Sequence, residues 1–118
     1  MPQVIPSPIV VVGIGADGWD GLSRASRTAV EQADVVFGSV RQIDSVRAHC
    51  TESRTWPSPL LPNLRPMIDA YEGRRVCVLA SGDPMFHGIG VSLAREFGAE
   101  RLRVHPAPSS VSLACARL

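Results

Sequence analysis

The chain has no lysine: all 12 of its basic residues are arginine. That excludes a phosphate-loop lysine and a Schiff-base lysine, and leaves planar fork donors suited to carboxylates and phosphates. Genome composition is a sufficient cause of the bias. Cysteine is scarce. Cys50, Cys77 and Cys115 are odd in number and widely spaced. No pair has metal-ligand spacing, and three thiols do not make a disulfide framework. A reducing, cytoplasmic setting is expected. No apolar run reaches the length of a membrane span. Residues 1–8 lack the positive region of a signal peptide and read as a flexible lead-in. A net charge of +1 gives no strong pull toward nucleic acid or a membrane surface.

With 118 residues and 45% hydrophobic content, one small domain with a genuine core is expected. Ile9-Val10-Val11-Val12 is a β-branched run, the mark of a strand buried on both faces. Gly13-Ile14-Gly15-Ala16-Asp17-Gly18 follows it, and Trp19-Asp20-Gly21-Leu22 extends the loop. Ser23 is placed to cap a helix over 24–33, with Ala25, Ala29, Val30 and Ala33 giving a small face for close packing. Residues 34–37 form a second strand, ended by Gly38. Ser39 caps a helix to about Ala48, with Val40, Ile43 and Val46 inward. Residues 51–56 are weakly extended. Asn63 is placed to cap a short helix to about Tyr71, with Pro66 in its first turn.

Val76-Cys77-Val78-Leu79-Ala80 reads as another buried strand, broken at Ser81-Gly82-Asp83-Pro84. A helix from about His87 follows, with Ile89, Leu93 and Phe97 at a spacing of four and Gly98 as its stop. Residues 102–104 form a short strand. His105-Pro106-Ala107-Pro108 turns, and Ser109 or Ser110 caps a last helix. About five strands alternating with helices of roughly ten residues predict an α/β fold with a mostly parallel, doubly wound sheet. Three loops follow strand ends, at 13–17, 81–86 and 105–110. Open α/β sheets bind ligands at the carboxyl ends of their strands, so these loops are expected to line one cleft.

The glycine loop formally matches the dinucleotide fingerprint. Its helix begins late, however, and the second strand ends in Gly38-Ser39 where a ribose-binding acid is required. Without them, a tight strand exit accounts for the glycines. His49, His87 and His105 are scattered, with no Ser-His-Asp or Cys-His spacing. Loop tryptophans Trp19 and Trp56 seal a core edge or cover a flat ligand.

Three segments together resemble the tetrapyrrole (corrin/porphyrin) methyltransferase family: Val11 to Gly18 with Leu22-Ser23, Ala80 to Pro84, and Val104 to Ser110. Phe37 to Gln42 and Ser81 to Gly88 make the chain similar to its precorrin-6Y branch, from about Ile9 to the last residue. The resemblance implies S-adenosylmethionine as methyl donor and methylation of C5 on a precorrin-6Y-type corrin precursor in cobalamin biosynthesis. Residues 9–118 would be the first of two α/β domains, with the second absent, and a homodimer is expected of the full-length enzyme. The family's cofactor contacts fall on Ser81, Gly82, Asp83, Phe86, Ser109 and Ser110, with Ala16 where the family usually has proline. Gly15, Asp17 and Arg41 are the candidates for the substrate side, where Arg41 or other cleft arginines could pair with the ring carboxylates. Gly38 stands where uroporphyrinogen-type members carry an aspartate, which argues against that reaction. Neither metal nor covalent nucleophile is expected. The competing expectations are a non-catalytic nucleotide-binding module, separable by ligand preference, and an assembly domain that binds no ligand.

Overall fold

The computed structural model describes residues 8–15, 17–57, 61–71, 73–81 and 89–105. Five strands alternate with four helices: β1 (Ile9–Ile14), α1 (Arg24–Gln32), β2 (Val35–Gly38), α2 (Val40–Val46), β3 (Ser53–Thr55), α3 (Leu61–Asp69), β4 (Val76–Ser81), α4 (Ile89–Phe97) and β5 (Leu102–His105). Every strand pair is parallel, and the order across the sheet is β3-β2-β4-β1-β5. The expected α/β class and strand number are therefore observed.

The topology divides the helices between the two faces. The connections β1→β2 and β2→β3 step one way across the sheet, whereas β3→β4 and β4→β5 step back. Parallel crossovers are right-handed, so α1 and α2 fall on one face and α3 and α4 on the other. The core divides accordingly. Val30, Ile43 and Val46 from α1 and α2 pack with Val12, Ile14, Val36, Cys77 and Leu79. Leu64, Ile68 and Leu93 from α3 and α4 pack with Ile9, Val11, Phe37, Val78 and Ala80. Alternate residues of one strand thus serve opposite layers, the period-two rule of a pleated chain.

Both expected serine caps are present. Ser23 Oγ accepts from the Ser26 backbone N–H at 3.2 Å. Ser39 forms a full capping box: its Oγ accepts from Gln42 N–H at 3.2 Å, and its own N–H donates to Gln42 Oε1 at 2.9 Å. The helix after β3 departs from expectation. It spans Leu61–Asp69 rather than following a cap at Asn63, so Pro66 sits inside it and not in its first turn. Pro62 occupies that first turn instead, where a missing N–H costs nothing. Two 3₁₀ turns replace expected loop and helix end, at Gly18–Gly21 and Arg47–His49. The anticipated last helix from Ser109 or Ser110, the lead-in at 1–7 and the start of α4 at His87 lie outside the described residues.

The edge strand β3 is held by an aromatic and polar brace. Phe37, fully buried, stacks on Trp56 at 4.8 Å between centroids and meets Tyr71 edge-on at 5.6 Å. The Tyr71 hydroxyl donates to Glu52, and Arg54 Nε donates to Tyr71 Oη at 2.9 Å and to Glu52 Oε2 at 3.2 Å. The Tyr71 hydrogen bond, ahead of the Arg54 charge, holds the Glu52 carboxyl below its ordinary value. A lowered folded pKa stabilises the fold above the unfolded value and loses that contribution as pH falls through the folded one. Tyr71→Phe is therefore expected to move the Glu52 titration, followed by carboxyl NMR, back up toward the ordinary range. Phe37→Ala should lower stability in urea by about 3–5 kcal/mol, the cost of emptying a packed aromatic site.

Candidate active-site crevice

The site is set by strand order before any side chain is considered. β4 lies between β2 and β1. Both neighbours send their chains out over the α1/α2 face, whereas β4 leads to α4 on the opposite face. Adjacent strands whose exits part to opposite faces open a crevice at their carboxyl ends. β1 ends in register with β4, Ile14 opposite Ser81. β5 ends at His105, opposite Val12, on the other side of β1. At about 4.8 Å between strands and about 3.3 Å per residue along them, all three strand ends lie within about 12 Å of one another. The ends of the three strands are therefore neighbours, while the loops at 82–86 and 106–110 expected to line the cleft lie outside the described residues.

Gly15, the first residue beyond β1, is exposed, and a Cβ built on it meets no atom within 4 Å. The crevice has room there. The chain then turns back: Gly18 N–H donates to Gly15 C=O at 3.0 Å. Gly18 has φ +59°, and a Cβ on it would lie 3.0 Å from Ser45 Oγ on α2. Gly18 therefore packs the turn against α2 and does not bring α1 against β1. In a dinucleotide fold the third glycine serves helix–strand packing, so the fingerprint is formal only. Asp17 is exposed and precedes the 3₁₀ turn without capping it through its side chain. Arg27 ties that turn to α1, donating to Trp19 C=O at 3.2 Å and to Asp20 C=O at 3.0 Å.

Trp19 lies parallel to His49 with ring centroids 3.8 Å apart. That stack engages both rings in packing against each other. Neither ring has a sequence signal that pairs it with the other, since 29 residues and three elements, α1, β2 and α2, intervene. Trp56 likewise serves the core through Phe37. Arg41 is exposed in the first turn of α2, beyond the carboxyl end of β2, and makes no ion pair among the described residues. Gly15, Asp17 and Arg41 all lie in or beside segments that leave the carboxyl edge.

Gly38 closes β2 beside β4. A Cβ there would lie 3.3 Å from both Cβ and Cδ1 of Leu79 and 3.2 Å from Gln42 Oε1. Leu79 is 1% exposed and Gln42 Oε1 is engaged in the capping box, so neither gives way freely. A side chain at this position would have to push Leu79 and Gln42 aside by a few tenths of an ångström.

Ala16, Gly82, Asp83, Phe86, Ser109 and Ser110 lie outside the described residues, as does His87. Ser81 is described as the last residue of β4, and its backbone pairs with β1. Cys77, fully buried in the middle of β4, has its thiol pushed up to about 12 by burial and is no nucleophile. Among the described residues no cluster of three His, Cys, Asp or Glu side chains is placed to hold a metal ion, and no helix is long and apolar enough to cross a membrane.

The tightness at Gly38 yields a prediction. Gly38→Ala should cost about 1–3 kcal/mol in urea denaturation, as overpacking does. Gly38→Asp should cost more, because it also buries a charge.

Comparison with known proteins agrees with this geometry. The family model for tetrapyrrole (corrin/porphyrin) methylases matches residues 8–118. A precorrin-6Y C(5,15)-methyltransferase [decarboxylating] of Mycobacterium tuberculosis is 46% identical over 111 residues, covering 93% of this chain and 28% of the relative. A cobalt-precorrin-7 C(5)-methyltransferase of Salmonella typhimurium is 35% identical, over 92% of this chain and 54% of its own length. The crystal structure of a cobalamin-biosynthesis precorrin-6Y methylase (cbiE) from Archaeoglobus fulgidus superimposes with a TM-score of 0.68 at 31% identity, covering 93% of this chain and 57% of that one. The chain therefore spans between about a quarter and somewhat over half the length of these relatives. A parallel sheet of order 3-2-4-1-5, its crevice at β4, and a family match over nearly its whole length assign this chain to the tetrapyrrole (corrin/porphyrin) methylase family.

Proposed function

We propose that this chain is the cofactor-binding first domain of an S-adenosylmethionine-dependent methyltransferase that methylates C5 of a precorrin-6Y-type corrin precursor in cobalamin biosynthesis. The observation that carries the proposal is similarity over 92–93% of the chain to proteins named for that methylation, joined to a crevice at the carboxyl end of β4. The relatives extend well beyond the matched region. A second domain closing over the crevice completes the site, and the full-length enzyme is expected to be a cytoplasmic homodimer.

S-Adenosylmethionine supplies an electrophilic methyl on a sulfonium. The protein's task is to hold an electron-rich ring carbon in line with that S–CH₃ bond and to keep water out. Alignment alone removes much of such a barrier. Ser81, Gly82, Asp83 and Phe86 after β4, Ser109 and Ser110 after β5, and Ala16 after β1 are proposed to hold the cofactor. The open space at Gly15 suits a ligand approaching the backbone closely. Asp17 and Gly15 border the substrate side. Arg41, whose guanidinium makes no ion pair among the described residues, suits a ring carboxylate, which it can bind through two parallel hydrogen bonds.

Calorimetry with S-adenosylhomocysteine tests the proposal on this chain and on the full-length product of its gene. The full-length protein is expected to bind S-adenosylhomocysteine in preference to NAD or ATP, and Asp83→Ala to weaken binding at least about tenfold, the loss of one charge-assisted hydrogen bond. Preference for NAD, or no binding by the full-length protein, would overturn it.

A further inference from the structure

A polar pocket of about 390 Å³ opens beside α1, lined by Trp19, Arg24, Arg27, Thr28, Glu31 and His49. None of these residues belongs to the crevice. Arg24, Thr28 and Glu31 recur at i, i+4 and i+7 along α1, with Arg27 beside them, so one stripe of the helix forms a wall. Trp19 of the turn Gly18–Gly21 and His49 of the turn Arg47–His49 form the other. Three chain segments thus converge on one polar concavity.

We infer that this pocket binds a tetrahedral oxyanion, the phosphate group of a small soluble ligand. Its charge favours an anion: two guanidiniums and an imidazole stand against one carboxylate, Glu31. Arg24 is exposed and makes no ion pair among the described residues. Arg27 is held in place. Its Nε donates to Trp19 C=O at 3.2 Å and its Nη2 to Asp20 C=O at 3.0 Å, with the guanidinium carbon 5.5 Å from the centroid of the Trp19 ring. That leaves Nη1 without a partner among the described residues, on a side chain whose position is already fixed. Trp19 in turn fixes His49 through the parallel stack. Donors ordered before the ligand arrives lose little entropy when it binds.

The arrangement of donors selects the shape of the anion. Arg24, Arg27 and Thr28 come from α1, and His49 comes from the turn after α2. A carboxylate is planar and takes a fork of donors in its own plane, whereas a tetrahedral anion offers oxygens in several directions. Glu31 ends the stripe seven residues from Arg24, about 10 Å at about 1.5 Å per residue. At that separation in solvent its repulsion is largely screened. The charged groups around His49 are Arg24, Arg27 and Glu31 of α1 and, in its own turn, Arg47, which pairs with Asp44 at 2.9 Å. An imidazolium there adds to the attraction for an anion.

Inorganic sulfate is the probe, because it stays doubly charged over the range in which histidine titrates. NMR of the whole chain during a millimolar sulfate titration should show saturable shifts at Trp19, Arg24, Thr28 and His49 that chloride at equal ionic strength does not reproduce. Inorganic phosphate should displace the sulfate. Arg24→Gln should weaken binding about fivefold, the loss of an exposed charge-assisted hydrogen bond, and Glu31→Gln should tighten it about twofold. Both side chains are exposed, so neither change disturbs the core. Binding should be tighter at about pH 6 than at about pH 8, and His49→Gln should remove that difference. Shifts that do not saturate, that chloride matches, that phosphate does not reverse or that persist unchanged in Arg24→Gln overturn the inference. So do shifts centred on Arg41, which would place the anion at the rim of the crevice instead.

Discussion

The pairing of β1 with β4 is the constraint on which the rest depends. Six consecutive residues match in parallel register, from Ile9 opposite Val76 to Ile14 opposite Ser81. These strands supply residues to both core layers, Val11 and Val78 to one and Val12 and Leu79 to the other. A slip of one residue would exchange the two sets and misfit both helical layers at once. The same register places the ends of the two strands level, so the glycine turn after β1 and the exit of β4 begin side by side. Stability of the core and geometry of the crevice are therefore one requirement.

The crevice in turn explains why small residues accumulate around it. Where two neighbouring exits diverge to opposite faces, backbone and not side chain forms the walls. Gly15 leaves open space, Gly18 lets the turn lie on α2, and Gly38 lets β2 end against Leu79. The Gly38 contact also bears on reaction class. The end of β2 cannot carry a carboxylate without displacing Leu79 or breaking the Ser39–Gln42 cap. A methyl transfer that relies on holding two reactants in line needs a shaped, backbone-lined trough more than a cluster of ionisable groups.

Much of the fold was legible because its signals are local. The β-branched runs at 9–12 and 76–80 announced doubly buried strands, and Ser23 and Ser39 announced helix starts through hydrogen bonds made within one turn. Strand order was not legible: a strand apolar on both faces carries no mark of its neighbour. The start of α3 was misplaced because Pro62 and Pro66 both suit a first turn and only tertiary packing chooses between them. The Trp19–His49 stack joins two turns distant in sequence and left no local trace. For the site, strand-then-turn patterns located the exits, while the individual roles of Asp83, Phe86, Ser109 and Ser110 came from family resemblance alone.

The central claim is that S-adenosylmethionine chemistry is housed at the carboxyl edge where β1, β4 and β5 end. Amide NMR during titration of S-adenosylhomocysteine into this chain, carried to millimolar ligand, tests it directly. Shifts should concentrate at Ile14, Gly15, Ser81 and His105 and spare Ile9, Val35 and Val76 at the opposite edge. Shifts centred on that opposite edge, or none at all, would contradict the account.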